Sequence, residues 1–482
     1  MLFNSLDFAI FLPIVFILYW FVFYKNIKLQ NLLVVLSSYI FYGWWDWRFL
    51  SLIIFSTIVD YSVGRRLNDE ETQLKRKALL WVSISINLGL LGFCKYYNFF
   101  IDNFISAFSL FGIVIKTNSL NLILPVGISF YTFQTLSYTI DVYKRKLVPT
   151  KDFIVFSAFV SFFPQLVAGP IERAKNLLPQ FYSKRKFEYS NAVDGLRQIL
   201  WGLFKKIVIA DNCAEYANHI FNNSPDYSGS TLFLGAIFFS FQIYGDFSGY
   251  SDIAIGTSRL FGFNLMRNFS FPYFSRDIAE FWRRWHISLS TWFRDYLYIP
   301  LGGSRGGTLL KVRNTFIIFI VSGFWHGANW TFIFWGIINA IYFLPLLLTK
   351  NNRNHIDVVA KGKALPSLRE FILIVKTFVL TVFAWIFFRS NNINHAIEII
   401  REIFSESLFS IPHFKNLELI YPFIPILILF IFIEWCGRES NYAIETLFKK
   451  KHLSIRLIFY YLLIIVIFVF ANDGQNFIYF QF

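Results

Sequence analysis

Two histidines, His286 and His326, have the residue type and setting that best suit proton transfer in this chain of 482 residues. A neutral imidazole titrates near physiological pH and can take the proton of a hydroxyl that attacks an acyl group. His326 ends the apolar run 316–325, and hydrophobicity resumes at Trp330. Ionisable residues at membrane depth usually face a cavity or a partner, so His326 is a candidate general base. The alternative is a histidine satisfied by a backbone carbonyl in a turn.

His286 lies within the segment 276–296, where apolar residues recur with the period of an α-helix. One face of that helix carries Ile278, Phe281, Trp282, Trp285, Leu289, Trp292, Phe293 and Tyr296. Arg276, Arg283 and Arg294 fall together on the far side, with His286 at the edge of the apolar stripe. The pattern predicts one amphipathic helix. A helix resting at the headgroup level, with His286 as a boundary residue, is the alternative to a catalytic role.

A second polar feature is the segment 242–252, which places Asp246 and Asp252 in an otherwise apolar run, together with two glycines and two serines. Irregular backbone at membrane depth is tolerated where protein or water satisfies its amides. We therefore expect a broken helix that lines an aqueous vestibule. Structural pairing is the alternative for the carboxylates.

Other catalytic motifs do not occur in the sequence. The glycine-rich stretch 302–307 lacks the lysine and the strand context of a nucleotide-binding loop. The three cysteines, Cys94, Cys213 and Cys436, lie far apart and show no metal-ligand spacing. The sequence therefore predicts no metal site and no bound cofactor.

The elements that position these residues must be membrane helices, because 56% of the residues are hydrophobic and 21% are aromatic. The mean hydropathy is +0.50, and a soluble protein of this composition would expose large apolar patches. The net charge of +15 arises from basic residues placed mostly between the apolar runs. That placement is typical of cytoplasmic loops facing anionic lipid, so we expect contact with membrane lipid and no nucleic-acid partner.

Apolar runs long enough to span a bilayer, or nearly so, predict an all-α polytopic protein with about 11–13 transmembrane helices in one domain over residues 1–482. Residues 96–116, 190–220 and 270–300 are expected to form re-entrant or interfacial helices. The predicted spans are 8–24, 31–45, 48–64, 78–94, 120–140, 153–168, 231–247, 313–325, 330–349, 370–388, 418–435 and 455–471.

Five segments of the sequence resemble those of a known family. The segment 281–303, which begins FWRRWHISLS, and the segment 323–327, GFWHG, are similar to the two signatures of the membrane-bound O-acyltransferase (MBOAT) family. Segments 129–134, 163–171 and 246–252 resemble its bacterial branch, which is alginate O-acetyltransferase-like or peptidoglycan O-acetyltransferase-like. The likeness runs from Leu2 almost to the C-terminus.

The resemblance implies helices around a central tunnel in which His326 is the catalytic histidine and His286 the second active-site polar residue. Donors and acceptors would enter the tunnel from opposite sides of the membrane. Candidates for the tunnel wall or the oxyanion site are Asn329, Asp246, Asp252, Trp285, Trp325 and Gln134. Candidates for binding the donor's phosphates are Arg283, Arg284 and Arg305.

The function that the resemblance implies is O-acyl transfer, with acetyl-CoA or a related thioester as the donor substrate. The acceptor would be an extracytoplasmic polysaccharide or an exported SGNH hydrolase-like acetyltransferase that relays the acetyl group, and the location a bacterial inner (plasma) membrane. D-alanyl transfer to teichoic acid is one alternative. A transporter or flippase of an acyl or glycan carrier is another, although the hydropathy shows no inverted repeat.

Overall fold

The computed structural model describes residues 1–113, 115, 120, 123–167, 169–414, 420–449, 451–471, 475, 477 and 478. All regular secondary structure in these residues is helical, as predicted. The chain divides into two compact units. The first comprises Met1–Val193 and Thr257–Met266, and the second Asp194–Gly256 and Arg267–Phe482.

Among the described residues, the first unit contains nine complete α-helices, the start of a tenth and the last turn of α12 (Gly229–Leu260). The N-termini of some of these helices are capped by short polar side chains, as at Ser5, Asn26 and Asp152, whose oxygens accept backbone N–H groups. These helices are α1 (Leu6–Ile17), α2 (Ile27–Asp46), α3 (Leu50–Asp69), α4 (Gln73–Leu91), α5 (Tyr97–Ser109), α6 (Ile128–Tyr143), α7 (Phe153–Ser161), α8 (Phe163–Leu166), α9 (Ala174–Tyr182) and α10 (Tyr189–Leu203).

The second unit contains most of α10 and the remaining helices in the described part of the chain. Two pairs of consecutive helices in this unit position the candidate site residues: α13 with α14, and α15 with α16. The helices are α11 (Asp211–Asn222), α12 (Gly229–Leu260), α13 (Ile278–Arg284), α14 (Ile287–Phe293), α15 (Thr308–His326), α16 (Trp330–Leu348), α17 (Leu368–Arg389), α18 (Ile393–Ile403), α19 (Phe423–Cys436) and α20 (Leu453–Val469).

Four helical stretches in the described residues are long and apolar enough to cross a membrane, judged by length and composition. They are Gln73–Ser109, Thr308–His326, Trp330–Leu348 and Leu368–Arg389. Shorter apolar helices cover Leu6–Val22, Phe153–Leu166, Phe423–Cys436 and Leu453–Val469. The expected total of 11–13 spans stays a prediction, and parts of the expected spans at 121–122, 168 and 418–419 lie outside the described residues.

The segment 96–116, expected to be interfacial or re-entrant, begins as a continuation of α4, and its placement relative to a membrane stays a prediction. A π-helical turn at Gly92–Tyr96 joins α4 to α5, so one apolar helical stretch of 37 residues runs from Gln73 to Ser109. Residues 114 and 116 lie outside the described part of the chain. The polar groups of Asp102 and Asn103 did not end the helix, because helical backbone satisfies its own hydrogen bonds.

The expected break in 242–252 is wrong, since α12 runs unbroken over 32 residues. Its glycines permit close packing. A Cβ atom at Gly249 would lie 2.8 Å from the carbonyl oxygen of Gly202 on α10, and one at Gly202 would lie 2.6 Å from that of Gly249. Small residues that let two backbones touch are a common device of membrane helices. The same glycines that resemble a helix break in sequence therefore mark a helix–helix contact.

Candidate active site

The predicted helix over 276–296 is broken at His286. Helix α13 ends at Arg284, and α14 begins at Ile287 after His286 adopts a left-handed conformation with φ of 44°. The chain on either side is held by the segment 268–270: the Ile287 N–H donates to the Asn268 carbonyl (2.9 Å), and the Ser270 N–H donates to the Arg284 carbonyl (2.9 Å). A left-handed non-glycine residue costs free energy and persists where its surroundings impose it. The break turns His286 away from the register of a continuous helix.

The imidazole of His286 is buried, with 1% of the residue exposed. Its Nδ1 atom lies 3.1 Å from Oδ1 of Asn268. Within the described part of the chain Nε2 makes no hydrogen bond. His286 lies outside the four spanning helices, and burial lowers its pKa to about 3. The imidazole is therefore neutral at physiological pH.

His326 is the last residue of α15 and is also buried, with 4% exposed. Its ring packs edge-on against Trp335 (centroids 5.1 Å apart) and Phe388 (5.3 Å). Helices α15 and α16 approach at backbone contact, because a Cβ at Gly323 would collide with the Phe332 carbonyl. This close approach fixes the end of α15 and with it the position of His326.

Trp325 is in ring contact with both histidines. Its ring centroid is 5.9 Å from that of His286 and 5.0 Å from that of His326. The indole is buried, with 4% of the residue exposed. Of the predicted wall residues, Trp325 is therefore the one in ring contact with both imidazoles.

Both histidines line one cavity of about 260 Å³. Its wall includes the buried side chains of Leu289 and Phe293, and polar groups come from Ser290, Ser304, Thr315 and Ser322. Arg294 and Arg353, both exposed, also line it. The lining therefore combines two buried imidazoles with two exposed arginines. Within the described residues no group of three or more His, Cys, Asp or Glu side chains is arranged to hold a metal ion.

The predicted wall residues Asp246 and Asp252 are engaged in buried ion pairs. Lys206 Nζ lies 2.8 Å from Asp246 and 2.7 Å from Asp211, and Lys205 Nζ lies 2.5 Å from Asp252. Neither aspartate lines the cavity that holds the histidines. A buried carboxylate needs such a partner, so these contacts correspond to the structural-pairing alternative.

The three arginines predicted to bind phosphate do not line the cavity either. Arg283 donates to the carbonyls of Asn352 and His355 (2.8 Å each). Arg284 pairs with Glu280 at 2.8 Å and is buried. Arg305 is exposed. The arginines that line the cavity are instead Arg294 and Arg353. The sequence pattern placed Arg294 on the far side of a continuous helix. Arg353 lies in a loop, and no sequence motif pointed to it.

The remaining candidates have structural contacts. Asn329 caps α16: its side-chain oxygen accepts the Thr331 N–H (3.0 Å), and its amide donates to the Asn391 carbonyl (3.0 Å). Trp285 is buried in an aromatic cluster with Phe269 and Trp385, both at 5.1 Å. Gln134 belongs to the first unit, where its amide donates to the Phe159 carbonyl (2.6 Å).

Comparison with known proteins identifies the sequence family. The family model described as MBOAT, membrane-bound O-acyltransferase family, matches residues 146–373. The chain is similar to the probable alginate O-acetylase AlgI of Pseudomonas aeruginosa, at 39% identity over 84% of this chain and 75% of that protein. It is 33% identical to the peptidoglycan O-acetyltransferase of Helicobacter pylori, over 100% of this chain and 98% of that protein. A teichoic acid D-alanyltransferase of Streptococcus thermophilus is 33% identical over 45% of this chain and 55% of that protein.

Proposed function

The chain belongs to the membrane-bound O-acyltransferase family, and from that premise we propose that it acetylates hydroxyl groups of an extracytoplasmic polysaccharide, using a cytoplasmic thioester as donor. The family makes it a membrane protein and an O-acyltransferase. The observation that supports a catalytic role for the two histidines is the cavity that both of them line together with the exposed arginines Arg294 and Arg353. The identity of the donor, the identity of the acceptor and the role of each residue are part of this proposal.

His326 is the general base in this proposal. As the hydroxyl oxygen of the acceptor attacks the carbonyl carbon of the thioester, the imidazole takes the hydroxyl proton. The tetrahedral intermediate then breaks its carbon–sulfur bond, and the imidazolium returns the proton to the departing thiolate. The products are an ester and a free thiol. His286 orients the acceptor or relays its proton from the other part of the cavity wall.

The oxyanion of the tetrahedral intermediate needs a hydrogen-bond donor near His326. Asn329, the sequence candidate, already uses its amide to hold the Asn391 carbonyl. Ser322 precedes His326 by four residues on α15, so it lies on the same helix face, and it is a buried lining residue of the cavity. We therefore assign Ser322 to the oxyanion and Trp325 to the wall that holds the acyl group.

The donor in this proposal is acetyl-CoA or a related thioester, whose phosphates bind Arg294 and Arg353. Guanidinium groups bind phosphate through charge-assisted hydrogen bonds. The acetyl group is small enough for a cavity of about 260 Å³. A tunnel across the membrane would connect this donor side with an acceptor at the outer face of a bacterial plasma membrane.

The acceptor class follows from the relatives. Those that cover most of this chain are named for alginate and peptidoglycan acetylation, whereas the D-alanyltransferases of Streptococcus thermophilus and Bacillus subtilis match 45% and 57% of it. We therefore favour a polysaccharide acceptor, reached directly or through an exported SGNH hydrolase-like acetyltransferase. D-alanyl transfer to teichoic acid is the second candidate within the family.

The test is an assay of purified protein in lipid nanodiscs with acetyl-CoA labelled on the acetyl group. We expect donor cleavage that is lost in His326→Ala and strongly reduced in His286→Ala. The matched control is His413→Ala, because His413 is exposed. Cleavage that persists in His326→Ala would refute the base assignment, and passage of label across the membrane without cleavage would indicate a transporter.

A further inference from the structure

Asn268 is a fully buried residue of the second unit that neither the sequence motifs nor the proposed mechanism uses. It lies in the segment between α12 and α13, and its side chain contacts three other residues of that unit. The carboxamide oxygen Oδ1 lies 3.1 Å from His286 Nδ1, 2.9 Å from Ser288 Oγ and 3.3 Å from the Ser288 backbone nitrogen. Nδ2 donates to Ser251 Oγ at 3.2 Å.

The orientation of this carboxamide is fixed by the Ser288 backbone amide. A backbone N–H can only donate, so the atom of Asn268 that faces it must be the oxygen. Turning the carboxamide over would place its NH₂ group against that N–H, two donors facing each other, and would lose this hydrogen bond. The assignment of oxygen and nitrogen therefore follows from the network rather than from atom positions alone.

The fixed oxygen in turn fixes the proton on the imidazole. Oδ1 of Asn268 has no hydrogen to give, so His286 Nδ1 must carry one to make its hydrogen bond. In a neutral imidazole the other nitrogen, Nε2, then holds a lone pair. Nε2 is the ring nitrogen without a hydrogen bond to any described residue, and His286 lines the cavity.

We propose that Asn268 is a positioning residue that holds His286 as the Nδ1–H tautomer, so that Nε2 presents a hydrogen-bond acceptor to a hydroxyl substrate in the cavity. Asn268 acts in two ways. Its side chain orients the ring, and its backbone carbonyl binds the Ile287 N–H at 2.9 Å, which holds the left-handed turn at His286. Groups that fix the tautomer of a catalytic histidine in this way have large effects on rate.

This inference rests on the proposed function, because it assumes that His286 orients the acceptor hydroxyl or relays its proton. It makes His286 complementary to an alcohol, whose O–H donates to Nε2. A substrate group that offers only acceptors, such as a carboxylate, would not be bound at this nitrogen.

The first test is the pH–rate profile of Asn268→Asp. A carboxylate keeps the hydrogen bonds from His286 and Ser288 but stabilises the imidazolium, so we expect an acid limb to appear about 1–3 pH units above that of the unsubstituted protein. Asn268→Leu removes the acceptor, and we expect kcat to fall about 10–100-fold. The control is Asn314→Asp, which buries a carboxylate in the same unit beside Arg313. Its pH profile should match the unsubstituted protein.

The second test needs no substitution. Nitrogen-15 spectra of histidine-labelled protein report which ring nitrogen carries the proton, and we expect the Nδ1–H form for His286. An Nε2–H form would overturn the inference. So would an unchanged rate and pH profile in both Asn268 variants while His286→Ala loses activity. If His286→Ala and His326→Ala both retain full activity, the proposed function itself fails.

Discussion

The imidazole of His286 stands edge-on to the ring of Phe247, with the two centroids 4.6 Å apart and the planes at 87°. Phe247 comes from the middle of α12, in the segment that places two aspartates among apolar residues. It is fully buried and also packs against Phe269 at 4.9 Å. Helix α12 therefore supports the candidate catalytic residue through an aromatic ring, while its aspartates pair with lysines.

Phe247→Ala should both destabilise the protein and slow transfer. Removing a buried phenylalanine costs about 3–5 kcal/mol of unfolding free energy, and the void lets His286 leave its position. Phe247→Leu keeps most of the volume and should cost less than about 1.5 kcal/mol, so its lower transfer rate reports the loss of the ring itself. Thermal unfolding in detergent and acetyl transfer measure the two effects. A normal rate in Phe247→Ala would show that the contact does not position His286.

Arg294→Ala and Arg353→Ala should weaken donor binding. Each change should raise KM for acetyl-CoA about tenfold at low salt, with little change in kcat, because each removes a charge-assisted hydrogen bond to phosphate. The effect should shrink as ionic strength rises, since both arginines are exposed. Arg369→Ala, an exposed arginine on α17 that does not line the cavity, is the control. Equal KM values in all three variants would remove the arginines from the donor site.

The fold class could be predicted from sequence, because apolar runs are local patterns. The family signatures single out the two histidines that line one cavity, and their catalytic role stays a prediction. The break at His286 could not be predicted. No glycine or proline marks it, and the left-handed turn depends on hydrogen bonds from the segment 268–270, which precedes His286 by 16–18 residues. The apolar periodicity of the sequence therefore predicted a continuous helix through His286, where tertiary contacts end it.

The cavity's arginines illustrate the same limit. A continuous helix puts Arg294 on the face opposite the apolar stripe, whereas the turn at His286 brings it to the cavity that His286 lines. In α12 the reverse occurred: the sequence predicted a break where the helix is continuous. Gly245 and Gly249 predicted a break, but glycine also permits close backbone contact, here between Gly249 and α10 and between Gly245 and the Lys205 carbonyl, and sequence alone does not separate these two uses.

Gly323 lies one helical turn before His326 on α15, and Gly323→Ala should shift the position of the His326 side chain. The added methyl group would collide with the Phe332 carbonyl, so α15 and α16 must separate at a cost of about 1–3 kcal/mol. We expect a lower unfolding temperature and slower acetyl transfer. The control is Gly89→Ala on α4, where an added Cβ meets no atom of the described residues within 4 Å. That variant should keep its activity and gain up to about 1 kcal/mol from helix propensity. Equal stability of the two variants would contradict the close packing.

Glu172 should make the stability of the protein depend on pH. It is fully buried in the first unit, outside the spanning helices, and accepts hydrogen bonds from Asn176 and the Met266 backbone. Burial raises its pKa to about 6 from 4.5. Because the folded state holds this proton more tightly than the unfolded state, the stabilisation is complete below pH 4.5 and is lost as pH rises through about 6. The loss amounts to about 2 kcal/mol.

Glu172→Gln cannot ionise, so its stability should not fall over this interval. We expect the unfolding temperature of Glu172→Gln, relative to the unsubstituted protein, to be higher at pH 7.5 than at pH 4.5. Glu71→Gln, which changes an exposed glutamate, should keep the original pH dependence. Thermal unfolding in detergent across this pH range measures the difference. If the two proteins instead differ by the same amount at every pH, the pKa of Glu172 is unchanged by folding, and its hydrogen bonds offset the effect of its burial.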